Sequence, residues 1–256
     1  MLENTTFLLA QANIALNLNK YSLAEKKYAE ILIREPFNPS AYWGIATSLA
    51  QQDKTAEAIK YLEEALSKQL ETEQIFDQLC HIYLTNYSSR HLEINELWLK
   101  RFPNSFRAHL LMSKLLVKYY RPNYSKPVKE QILLHANTAL KLNPSNEQNI
   151  ENMGSIYAYV FNNYKAAVEN YLIALKIQPN AAYLHNNLGN IYLRYEKFKL
   201  AENQFIETLR IDPSLKAAEN NLKLVKANYY RKIKRYIVWA LQIGTILALF
   251  AITIFR

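Results

Sequence analysis

Apolar residues recur at three- and four-residue steps through most of the chain, the spacing that lays one stripe along a helix. In the stretch that ends at Pro213, Tyr192, Phe198, Phe205 and Leu209 show this across the two helices of one unit. The pattern also repeats at a longer period. Pro144, Pro179 and Pro213 lie 35 and 34 residues apart, and apolar pairs precede each one: Ala139-Leu140, Ala174-Leu175 and Thr208-Leu209. The same register extends backwards to Trp98-Leu99, Ala65-Leu66 and Ile31-Leu32, so the chain holds six units. Ala12, Ala46, Cys80, Ser113, Gly154 and Gly189 stand at one place in each unit, and all are small. Ala24, Ala58, Ala167 and Ala201 form a second small column in units one, two, five and six. Two helices must approach closely at such columns. The pattern predicts a helix, a short turn and a second helix packed back on the first, with units at about 5–38, 39–72, 73–105, 106–146, 147–181 and 182–215.

Two places depart from the repeat. Unit three carries polar Asn95 near a usually apolar column. Unit four carries about seven extra residues around 121–127, which include Pro122 and Pro127. Two prolines predict a loop there rather than a longer helix.

The pattern changes after Tyr230. Residues 237–255 read IVWALQIGTILALFAITIF, nineteen residues without a charge. As a helix they would be roughly 29 Å long, against a hydrocarbon core of about 30 Å, so residues 236–255 are expected to form a transmembrane helix. Tyr236 and Trp239 suit its interface. Arg231, Lys232, Lys234 and Arg235 precede the span and only Arg256 follows it, which by the positive-inside rule orients the large N-terminal part toward the cytosol. The opening MLENTTFLLAQANIALNLNK has an acid at Glu3, no basic region and no small-residue cleavage site. The expectation is a tail-anchored, single-pass protein, in a bacterial inner membrane or an organelle outer membrane. Abundant Asn, Lys, Tyr and Ile suggest an AT-rich genome and tilt the choice toward the bacterium.

The repeated units resemble the tetratricopeptide repeat family over about residues 5–222. YLHNNLGNIYLRYEKFKLAENQFIETLRIDP carries the resemblance through Leu188-Gly189, Tyr192, Phe198, Ala201, Phe205, Leu209 and Pro213. The resemblance implies an all-α fold, a right-handed superhelical solenoid of about six helix-turn-helix repeats. Such a stack needs a terminal cap. Residues 214–235 are expected to supply it and the basic juxtamembrane segment, with Ser214 near the N-cap of a helix that continues into the span.

Composition narrows the function classes. The chain has 19 Tyr, 10 Phe and 3 Trp but 4 Gly, too few for glycine-dependent phosphate loops or turn-rich sandwiches. The single cysteine allows no internal disulfide. The net charge of +9 is uneven. Beyond Glu219 lie seven of the 31 basic residues and no acid, so the remaining 24 face all 22 acids in the rest of the chain. A nearly neutral body argues against nucleic-acid binding. His81, His91, His109, His135 and His185 are scattered, no HExxH, GxSxG, Walker or CxxC spacing occurs, and Cys80 falls in the small column. No enzyme activity, cofactor, metal or small-molecule substrate is expected.

What is expected is a protein or peptide partner in the concave groove of the first helices. Asn152, Asn187 and Asn221 stand in one column, and the resemblance implies a ladder of amides that pairs with the partner's peptide groups. Asn186, Asn190 and Arg194 share a stripe of one helix. Arg107, Lys114 and Lys118 form a basic stripe in unit four, and Trp43 offers an aromatic anchor in unit two. Each has a plainer reading as family pattern or solvated surface. The function expected is a membrane-anchored scaffold that recruits its partner through the groove. The alternative is a structural subunit of a membrane complex, held through its transmembrane helix, where Gly244 and Ala248 at a four-residue spacing suit helix contact. An oligomer is compatible with either.

Overall fold

The structure, a computed structural model, describes residues 4–85 and 90–254, and the side chains of residues 4–84 and 90–245. The described residues are all helix and turn, and within each of two units every helix packs on the one before it. They form two compact units, Met1–Asn143 and Pro144–Arg256.

The first unit has four helix pairs: α1 (Thr5–Asn17) with α2 (Tyr21–Arg34), α3 (Pro39–Ala50) with α4 (Thr55–Ser67), α5 (Glu73–Thr85) with α6 (Arg90–Arg101), and α7 (Phe106–Tyr120) with α8 (Lys126–Leu142). α1, α3 and α5 also touch one another in turn, so the first helices of three pairs lie side by side. The second unit has α9 (Glu147–Tyr159) with α10 (Tyr164–Ile177), α11 (Ala182–Arg194) with α12 (Phe198–Ile211), and α13 (Lys216–Ile254), which packs on α12 and α11.

Local sequence explains the boundaries. Asn38, Ser105, Asn146 and Asn163 accept a backbone N–H at the starts of α3, α7, α9 and α10, so several of the chain's many asparagines are helix caps. The turns inside pairs one, two, five and six each contain a left-handed residue: Asn19, Asp53, Asn162 and Glu196, with φ between 56° and 61°. Asn and Asp tolerate this conformation through their short polar side chains, whereas Glu196 does so at a steric cost.

The small columns fulfil their packing role. Ala12, Ala46, Cys80 and Ser113 are fully buried, as are Ala24, Ala58, Ala167 and Ala201. A Cβ added to Gly189 would lie 2.7 Å from the Phe205 ring. Glycine is the side chain that this crossing of α11 and α12 admits.

Two expectations need correction, and a third falls largely outside the described side chains. The insertion in unit four is a loop over residues 121–125 but not as far as Pro127, which sits in the first turn of α8, and α7 and α8 run to 15 and 17 residues. Proline is admitted in a first turn, where its missing N–H would have no partner in any case. Ser214 does not cap α13; its hydroxyl donates to Asp212 Oδ1 at 2.7 Å and the helix begins at Lys216. Finally, among the described residues no helix is long and apolar enough to cross a membrane. The backbone of α13 is unbroken through Ile254, but described side chains beyond Arg235 cover only residues 236–245, about 15 Å of helix or half a hydrocarbon core. The rest of the expected span, Ala248 included, lies outside the residues whose side chains are described.

Candidate functional site

In the first unit, Trp43 is half-buried on α3 and lines a cleft of about 200 Å³. Leu9 and Asn13 of α1, Pro39 and Ser40 of α3, and Thr72 and Gln74 at the start of α5 line it with Trp43. Asn13 is fixed there because its side-chain oxygen accepts a hydrogen bond from Tyr28. Its amide N–H groups have no partner among the described residues, and the side chain is exposed. The cleft joins one aromatic face to several polar side chains, a combination that suits a peptide or protein surface.

In the second unit, the predicted asparagines have separate fates. Asn152 is 4% exposed and forms part of the core. Asn187 donates to Glu151 at 3.3 Å. Asn221 donates to Asn190 at 3.0 Å and to Asn186 at 3.3 Å. The amides therefore tie α9, α11 and α13 to one another. Glu151 stands at the centre of this layer, accepting also from Tyr171 at 3.0 Å and from Ser155 at 3.2 Å. Sequence reasoning missed Glu151 as it missed Asn13. The signal for Glu151 was a carboxylate 36 residues before Asn187, about one repeat away.

The basic candidates are similarly divided. Arg194 donates to Asn162 at 3.2 Å and stacks on Tyr159, its guanidinium 5.2 Å from the ring centre. Arg107 pairs with Asp77 at 3.6 Å, while Lys114 is exposed. Burial raises the Asp77 carboxyl, an effect that Arg107 partly offsets. Lys232 bonds Glu196 at 2.6 Å, and this contact holds the Glu196 carboxyl down and the Lys232 ammonium up. Arg231, Lys234 and Arg235 are exposed on α13.

The remaining reactive groups have structural surroundings. Burial pushes the Cys80 thiol up to about 12, the opposite of an activated nucleophile. His109 and His135 share a hydrogen bond, Nδ1 to Nδ1, at 2.9 Å. Among the described residues no group of three His, Cys, Asp or Glu side chains gathers as metal ligands do.

Comparison with known proteins agrees with this architecture. Residues 9–71 match a family model described as a tetratricopeptide repeat, and residues 162–194 match one described as a TPR repeat. No curated protein matches the chain in sequence. Among solved structures, the chain is similar to one in the APC/C hetero-tetramer Cut9-Hcn1, with 21% identity, 87% of this chain and 43% of that one covered, and a TM-score of 0.72. It is similar to a chain of the human IFIT1 dimer with PPP-AAAA, with 19% identity, 92% and 58% covered, and a TM-score of 0.69. It is also similar to a thermophilic TPR protein of Thermus thermophilus, with 16% identity, 88% and 100% covered, and a TM-score of 0.51. The chain thus spans less than two thirds of the first two, and at these identities the likeness is one of fold. Each compact unit thus holds one stretch that matches a tetratricopeptide repeat model, residues 9–71 in the first and 162–194 in the second.

Proposed function

We propose that this protein is an adaptor that binds a protein or peptide partner along the inner faces of its first helices and is held at a membrane by α13. Tetratricopeptide repeats imply a scaffold for protein contact. The observation that carries the reading for this chain is the Trp43 cleft, where three successive first helices converge on an aromatic side chain and an amide with free N–H groups. Binding energy concentrates at such anchored pockets. Membrane attachment is supported by the uncharged run 237–255 directly after four basic residues. Its mechanism is recruitment, because confinement to a surface raises the effective concentration of scaffold and partner.

Site-specific photo-cross-linking in the full-length protein tests the binding half. A cross-linker at Ser40 should trap a partner, and Trp43→Ala should abolish the adduct. The same cross-linker at exposed Lys60 should trap none. Equal yields at the two positions, or insensitivity to Trp43→Ala, would overturn the reading. Alkaline washing of membranes tests the anchor: the chain should stay with the membrane, and its release would remove that half of the proposal.

A further inference from the structure

α13 crosses the turn between α11 and α12, and charged residues dominate the crossing. Asn228, Arg231, Lys232, Arg235 and Tyr236 follow one another at helical steps and share one face of α13. Lys232 bonds Glu196, the left-handed residue of the turn, and its ammonium lies 5.5 Å from the centre of the Phe198 ring. Two clefts of about 380 Å³ each open beside this pair, sharing Glu196, Phe198, Lys232 and Tyr236 as a common wall.

The first cleft is cationic. Arg194, Arg231, Lys232 and Arg235 line it together with Asn228, and its one carboxylate, Glu196, is already engaged by Lys232. Asn162 and Tyr159 fix Arg194 in place. Arg231 and Arg235 are exposed and make no ion pair among the described residues. Cations gathered with too few acids repel one another, and an anion relieves that repulsion. Guanidinium groups favour anions with several oxygens, which they hold by paired hydrogen bonds.

The second cleft is largely apolar. Phe198, Leu200, Tyr229, Ile233 and Tyr236 line it, with Lys197 and Lys199 adding further positive charge. Along α13 it is followed by exposed Ile237, Val238, Trp239 and Leu241. A free phosphate would fill the first cleft and leave the second empty. A molecule with an anionic head and a hydrocarbon chain fits both.

We propose that the α11–α12 turn and α13 form a binding site for an anionic phospholipid, with its phosphate between Arg194, Arg231 and Arg235 and its acyl chain along Phe198, Leu200 and Ile233. The site rests on the membrane reading above for its supply of lipid. It adds to that reading a headgroup preference, which insertion of a helix does not require.

Calorimetric titration of the full-length protein in a non-ionic detergent tests the site without a membrane. Dihexanoyl phosphatidic acid should saturate at one per chain, with dihexanoyl phosphatidylcholine and inorganic phosphate each at least tenfold weaker. Arg231→Gln with Arg235→Gln should weaken the acidic lipid at least tenfold. Leu200→Gln should weaken the lipid and leave phosphate binding unchanged. Lys216→Gln with Lys223→Gln removes the same charge elsewhere on α13 and should change nothing. Equal binding of the two lipids, phosphate as tight as the acidic lipid, or equal losses from the control pair would each overturn the proposal. Alkaline washing separates the two ideas: a chain that stays with membranes yet binds no acidic lipid in detergent keeps its anchor and loses this site.

Discussion

Gly154 and Tyr171 meet across the crossing of α9 and α10 so closely that a Cβ on the glycine would lie 2.8 Å from the ring. The ring has little freedom to withdraw. It is 1% exposed, and its hydroxyl is held by Ser155 at 2.7 Å and Glu151 at 3.0 Å. Gly154→Ala adds helix propensity of about 0.5–1 kcal/mol, but overpacking a filled crossing costs about 1–3 kcal/mol. The expected net result is a lower melting temperature for the protein by circular dichroism. Adding Tyr171→Leu to the same chain should recover part of the loss.

Asn221→Ala tests what the asparagine layer does. Its amide is the polar tie from α13 to Asn186 and Asn190 of α11. Losing it should cost about 1 kcal/mol, and hydrogen exchange at the start of α13 should accelerate about fivefold. Partner binding at the Trp43 cleft should be unaffected, since that cleft belongs to the first unit.

The histidine pair gives the first unit an acid sensitivity. The Pro103 carbonyl can only accept, so His109 donates to it through Nε2 at 3.0 Å, and His135 must then donate through Nδ1. Burial first, and the neighbouring His109 second, hold His135 down to about 4. A histidine depressed in the folded state binds its proton more readily when unfolded. Stability should therefore fall as the pH drops from about 6.5 toward 4 and level off below that. In denaturant titrations at several pH values, His135→Gln should flatten this slope.

Asn95 is fully buried on α6, donates to the Ala108 carbonyl at 3.0 Å, and leaves its own side-chain oxygen without a partner. A buried unpaired acceptor costs about 1–3 kcal/mol. Asn95→Leu should hold or raise the stability of the first unit, whereas Asn95→Ala should lower it by opening a void. Chemical denaturation of both variants distinguishes these outcomes.

How much was legible in the sequence depends on where each residue's partner lies. Ala12, Ala46 and Cys80 announced the helix pairs because a close crossing excludes large side chains whatever surrounds it. The asparagine column was less informative. Asn152, Asn187 and Asn221 share a spacing, but their partners come from neighbouring helices whose residues at that height differ from unit to unit: Glu151 for one, Asn186 and Asn190 for another. Periodicity sets the helix face and leaves the partner open. Pro127 misled for a related reason, since its effect depends on whether it stands inside a helix or in its first turn.

Cys80 offers an experimental handle. It is the chain's one thiol, it is fully buried on α5, and burial keeps it protonated at neutral pH. An alkylating reagent can reach it only when the third helix pair opens, so the rate of its modification is a clock for breathing of the first unit alone. Set beside a spectroscopic melt, which averages both units, that clock would show whether occupying the Trp43 cleft quiets the repeats around it, with no label added and no residue changed.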